Sequence, residues 1–199
     1  MCIRDRYNPE PICRRERRLL HHMTSVPGAT ERSLISMLQY GGPQRGCVLY
    51  RTPVVRAIGG YADGMERYAD RELLFRVLCR GATLTVNPRV TFAWRRDHAV
   101  RHASARLNDD HVQRLALAKR YTAALERARL LDCEAVQNAL IAHVMEHVYD
   151  YAMRRRHHEI SDAALNLAAA LRARDESMGG AVGASETDAA HPTCQATPA

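Results

Sequence analysis

The sequence has no run of apolar residues approaching the roughly 20 that a helix needs to cross a lipid bilayer. Its first residues also lack the basic-then-apolar pattern of a secretory signal peptide. These two absences predict a cytoplasmic protein, or part of a protein whose membrane segments lie elsewhere. No membrane segment is expected in this chain.

Paired cysteines are also missing. None of the six cysteines belongs to a C-x-x-C pair, and their spacings fit neither a zinc site nor a disulfide framework. This usage is typical of a protein from a reducing compartment.

Lysine is nearly absent, because Lys119 is the single lysine and arginine supplies almost all of the positive charge behind the net charge of +7. A positive net charge can indicate a nucleic-acid or phosphate-bearing partner. The arginines are spread along the chain, however, except in the short runs at 14–18 and 154–156. Such runs usually form solvated faces, so nucleic acid is not the partner that we expect.

Composition and periodicity divide the 199 residues into four segments. Residues 1–27 are predicted to be irregular, and residues 1–6 resemble translated sequencing adapter, which would make the chain N-terminally truncated. Residues 28–108 mix strand and helix patterns and predict an α/β unit. Residues 109–175 predict a helical appendage, and residues 176–199 are predicted to be disordered because they have little to bury.

Within the α/β unit, short apolar or alternating runs predict strands at 47–50, 83–86 and 90–94. A helix is predicted over 70–80, with Gly81 as its C-terminal cap. The helical appendage carries apolar stripes that predict three helices in a small antiparallel bundle. The stripe of the second helix consists of Val136, Leu140, Val144, Val148 and Ala152.

Three motifs follow one another with a characteristic spacing. They are Val48-Leu49-Tyr50-Arg51, then Gly59-Gly60-Tyr61, and then Tyr68-Ala69-Asp70-Arg71-Glu72-Leu73 with Arg76 one turn later. Over residues 46 to 104 the chain resembles the C-terminal half of the family 2 glycosyltransferases, which are nucleotide-sugar enzymes of the GT-A fold. The resemblance implies a partial GT-A domain with an incomplete Rossmann-like sheet, followed by the helical bundle.

The same resemblance implies that Asp70 is the general base of an inverting sugar transfer to a hydroxyl acceptor. A carboxylate in the first turn of a helix is held ionised by the helix dipole, and nearby arginines favour the same state. The alternative is that Asp70 is only a helix cap. Many family members have glutamate where Ala69 stands. The residues assigned to the acceptor side are Gly59, Gly60, Tyr61, Arg67 and Glu72.

The family's nucleotide-sugar donor is held by a divalent metal, Mn²⁺ or Mg²⁺, on an acidic D-x-D motif in an N-terminal half-sheet. This chain contains no such motif or half-sheet. His98 matches a metal-binding histidine of the family, and His102 is the rival position. We therefore expect a fragment that binds no metal tightly and has no transferase activity by itself.

A competing motif is H-x-x-E-H, formed by His143, Glu146 and His147. Histidines four residues apart share a helix face and can bind zinc, with the glutamate as base. The apolar stripe through Val144 and Val148 favours a packing role instead. A further alternative to the transferase is a non-catalytic, basic helical module for protein or nucleic-acid interactions.

Overall fold

The computed structural model describes residues 30–41, 48–65, 67–82 and 109–179. Every regular element in these ranges is a helix, and none of the helices is long and apolar enough to cross a membrane. In chain order they are α1 (Thr30–Tyr40), α2 (Thr52–Ala57), α3 (Ala69–Cys79), α4 (Asp110–Ala128), α5 (Glu134–His143), a π-helix (Val144–Tyr149), α6 (Asp150–Arg154) and α7 (His158–Gly179).

The predicted α/β fold with an incomplete GT-A sheet is wrong for the described residues, which contain no strand. Residues 48–50 have no regular structure, and Leu49 is 100% exposed, the opposite of a buried strand. An apolar run becomes a strand only when a neighbouring strand satisfies its backbone groups, and the described residues provide none. The other two predicted strands, 83–86 and 90–94, lie outside the described residues.

The helical predictions are confirmed for α3, which begins one residue earlier than expected and ends at Cys79. Gly81 follows in the left-handed region at φ +77°, and its N–H donates to the carbonyl of Leu78 at 2.8 Å. The Ala82 N–H donates to the carbonyl of Val77, which completes a Schellman motif. The cap predicted at Gly81 is therefore confirmed.

One core joins α1 and α3 to the long helices that follow residue 108. The ring of Phe75 in α3 stacks on that of Tyr121 in α4, with centroids 3.9 Å apart. Leu34 and Leu38 of α1 and Leu140 of α5 lie in the same fully buried cluster. Each of these side chains contributes roughly 1.5–3 kcal/mol by leaving water, so this core holds α1 and α3 against the long helices.

The π-helix explains how the apolar stripe predicted for the second helix of the appendage stays buried. Its five apolar residues recur every four positions from Val136 to Ala152, and all are at most 1% exposed. Four residues turn an α-helix by about 400°, so the stripe would drift by roughly 160° over its length. A π-helix has more residues per turn and rotates the stripe back towards the core. The four-residue spacing is therefore accommodated by the π-helix between α5 and α6.

Candidate functional site

The N-terminal end of α3 brings together the residues that the sequence singled out. Asp70 lies half-buried in the first turn of this helix. Burial, then the nearby Tyr61 and Asp70, raise the pKa of Tyr50 to about 12. Tyr61 is 59% exposed, so its ring is available to a ligand. Tyr50 thus interacts electrostatically with both a phenol and a carboxylate.

The loop between α2 and α3 begins with two glycines in a conformation that other residues rarely adopt. Gly59 and Gly60 have φ of +80° and +72°, and the Gly60 N–H donates to the carbonyl of Val55 at 2.9 Å. Further along the loop, side chains of α4 hold the backbone: Gln113 donates to the carbonyl of Gly64 at 3.2 Å, and Arg120 donates to that of Asp63 at 2.9 Å. The loop that carries Tyr61 is therefore anchored at both ends.

An ion pair inside the protein fixes the glycine turn to α3. Arg76 donates through Nε and Nη2 to the two carboxylate oxygens of Glu72, at 2.7 and 2.8 Å. The same guanidinium donates to the backbone carbonyls of Ile58 and Gly60, each at 2.6 Å. Glu72 is only 2% exposed. The structure therefore places Glu72 where it positions the loop, with both of its oxygens occupied.

Arg67, which was also predicted for the acceptor side, forms an ion pair with Asp110 at the start of α4. Its Nε lies 3.1 Å from the carboxylate of Asp110, which also accepts hydrogen bonds from Tyr68 at 2.7 Å and Arg114 at 3.0 Å. Burial alone would raise the pKa of Asp110, but hydrogen bonds from Tyr68, Arg114 and Tyr151 outweigh it and lower that pKa. This network joins the start of α3 to the start of α4.

The H-x-x-E-H motif does not form a metal centre in the structure. Nδ1 of His143 lies 2.8 Å from the carbonyl of Leu38 and donates to it, and the His143 ring is buried. Glu146 is exposed, and across the described ranges no three His, Cys, Asp or Glu residues gather where they could hold a metal ion. The positions of His98 and His102 lie outside those ranges. His143 is instead a packing residue that satisfies a carbonyl near the C-terminal end of α1.

The burial of His143 predicts that acid destabilises the protein. Burial, then the neighbouring His147, lower the pKa of His143 to about 4, although the Leu38 carbonyl opposes this. The unfolded chain therefore takes up a proton near pH 6.5 that the folded protein resists. The stabilising contribution is complete above pH 6.5 and is lost as the pH falls towards 4, and by pH 5 about 2 kcal/mol should be gone.

Urea unfolding of the wild type between pH 7 and pH 4 measures this loss. In the variant His143→Gln the part of the slope due to this group should disappear, whereas His158→Gln, at an exposed position, should keep the wild-type slope. Parallel stability curves for wild type and His143→Gln would contradict the prediction.

Two parts of this site were not predicted from the sequence. The strand predicted over residues 47–50 gives the Tyr50 side chain no role in the site, and no motif in the sequence points to Asp110. Among the partners of Asp110 only Arg114 lies nearby in the sequence, because Arg67 and Tyr68 belong to the segment before α3. The side chains that influence Tyr50 likewise lie in a separate loop and helix.

Comparisons with protein-family models, with curated proteins and with solved structures give no match for this chain. Its function is therefore inferred from the residues of the site and their geometry.

Proposed function

We propose that this chain is the acceptor-side part of a glycosyltransferase that transfers a sugar from a nucleotide-sugar donor to a hydroxyl group. The observation that carries the proposal is that Arg76 holds the glycine turn before Tyr61 to α3, the helix whose first turn contains Asp70. These are the residues through which the sequence resembles the family 2 glycosyltransferases. A carboxylate that can accept a proton and aromatic rings that can cover a sugar are the groups an acceptor site needs.

In this proposal Asp70 accepts the proton of the acceptor hydroxyl as its oxygen attacks the donor sugar. Asp70 lies half-buried in the first turn of α3. The exposed ring of Tyr61 packs against the acceptor, and the Glu72–Arg76 pair holds the turn before Tyr61 in position. The distance between base and hydroxyl is then set by elements that are themselves fixed.

The proposed reaction also calls for a divalent metal at the donor diphosphate. The described residues do not fit that metal, since no group of three suitable ligands exists among them. The proposal for this chain is accordingly confined to the acceptor side.

Sugar binding by the chain itself tests the acceptor site. We expect methyl glycosides to bind with millimolar affinity and to shift the NMR signals of Tyr50 and Tyr61. Tyr61→Ala should weaken this binding roughly tenfold, because it removes the exposed ring, whereas Tyr61→Phe should retain most of it. Equal affinities of the alanine and phenylalanine variants would contradict the role of the ring.

A further inference from the structure

Two histidine rings lie face to face where the start of α4 meets the turn between α6 and α7. The centroids of His111 and His157 are 3.6 Å apart, and the planes of the two rings differ by 13°. Both residues are half-buried. Rings this nearly parallel cannot share one metal ion, because an imidazole nitrogen binds a metal in the plane of its own ring. The pair is therefore a stacking contact between two titratable rings.

This contact, which we call the histidine joint, ties the start of α4 to the segment that precedes α7. One turn further along α4, Arg114 donates to the carbonyl of His147 in the π-helix at 3.2 Å. Asp110, which directly precedes His111, accepts a hydrogen bond at 2.7 Å from Tyr68, the residue before α3. The histidine joint therefore lies at the end of α4 from which the start of α3 is held.

Protonation opposes the histidine joint. If both rings were charged, two positive charges would stand as close together as the ring centres, and like charges at that distance repel each other. Burial, then His157, lower the pKa of His111, although Asp109 and Asp110 act in the opposite direction. The folded protein therefore favours neutral His111. This contribution to stability is complete above the ordinary pKa of 6.5 and is lost as the pH falls below it.

The other charged groups that the described residues carry on the neighbouring elements are engaged elsewhere or exposed. Arg114 is paired with Asp110 at 3.0 Å, and the guanidinium carbon of Arg155 lies 5.6 Å from the ring centroid of Tyr151. The exposed ones are Arg154, Arg156, His158 and Glu159. Charges in contact with solvent are screened by water and salt, so they act on the stacked rings more weakly than the rings act on each other.

We propose that the histidine joint is a pH-sensitive contact, which forms when His111 and His157 are neutral and breaks when both are protonated. Breaking it lets the turn between α6 and α7 separate from α4, and it loosens the end of α4 that holds the start of α3. The inference goes beyond the proposed function and does not depend on it, because the contacts that carry it involve no acceptor.

NMR titration of the full chain between about pH 7.5 and pH 5 tests whether each ring senses the charge of the other. In wild type the His111 and His157 imidazoles should protonate in two coupled steps. His157→Phe retains a ring for stacking but removes the second charge, so the titration midpoint of His111 should rise. His158→Phe replaces the exposed neighbour and should leave that midpoint unchanged. An equal midpoint in wild type and His157→Phe overturns the proposal.

Hydrogen exchange over the same pH range measures the breaking of the contact. The amides of His157 and Ser161 donate to the carbonyls of Ala152 and His157 at 3.0 and 3.1 Å, so both report on the turn. Their protection, corrected for the intrinsic exchange rate, should fall roughly two- to tenfold in wild type, the factor that one stacked ring pair contributes. It should fall less in His157→Phe, because a protonated imidazole still packs favourably on an uncharged ring.

His143 is present in all of these proteins, so its own titration cancels in the comparison. Circular dichroism shows whether each variant is folded. Should His157→Phe unfold, His111→Phe takes its place, with the midpoint of His157 as the readout and the same expected rise. Equal losses of protection in wild type and in the phenylalanine variant of the joint overturn the proposal.

Discussion

Asp70→Asn is expected to lower the rate of sugar transfer by roughly 10²–10⁴-fold, the usual contribution of a general base. The amide has nearly the same shape as the carboxylate but cannot take the proton of the acceptor hydroxyl. Because the position is half-buried in the first turn of α3, the substitution should leave the fold intact. The loss should therefore appear in kcat, with little change in the KM of the acceptor.

The assay uses the complete open reading frame in which these residues occur, supplied with UDP- and GDP-sugars and with hydroxyl acceptors. Asp132→Asn is the matched control, because it makes the same change at an exposed carboxylate in the turn between α4 and α5. Full activity of the Asp70 variant would end the transferase proposal. The basic helical module would then be the remaining interpretation.

Glu72→Gln should destabilise the protein by about 3–5 kcal/mol, the cost of breaking a buried ion pair from one side. The glutamine cannot neutralise Arg76, whose side chain is only 16% exposed. This loss is large beside the 5–15 kcal/mol that typically separates folded and unfolded states. The same change should also loosen the turn at Ile58 and Gly60, since Arg76 holds both carbonyls.

The control is Glu126→Gln, which makes the same substitution in the ion pair between Glu126 and Arg174. The side chains of these two residues are 43% and 51% exposed, respectively. That pair should contribute at most about 1 kcal/mol. Urea unfolding measures both differences, and hydrogen exchange at the Gly59–Tyr61 amides reports on the turn. A cost for Glu72→Gln no larger than the control's, with unchanged exchange, would show that the pair does not hold the loop.

These two predictions test separately the proposed role of Asp70 as general base and the role of Glu72 in positioning the loop. Asp70 and Glu72 are two residues apart in α3, yet Asp70 is half-buried, whereas Glu72 lies in the interior and pairs with Arg76. The resemblance assigns both to the active site without separating their roles. The structure distinguishes the two roles, because Glu72 is buried and paired with Arg76 whereas Asp70 is half-buried.

The sequence by itself determined the local structure wherever a residue's own chemistry decides it. The helix of Ala69–Cys79, the cap at Gly81 and the glycine turn at Gly59 follow from apolar periodicity and from backbone freedom at glycine. The helices after residue 108 were predictable for the same reason. Asp70 was placed at a helix start from its motif alone.

Only the tertiary structure decided what depends on partners far away in the chain. Leu49 is exposed rather than in a strand, because a strand exists only when another strand pairs with it. Glu72 is buried because Arg76 can reach both it and the glycine turn, and Arg67 meets Asp110 across 43 positions. Hydrogen bonds and ion pairs between distant segments form only when the packed core brings those segments together, and no local pattern records them.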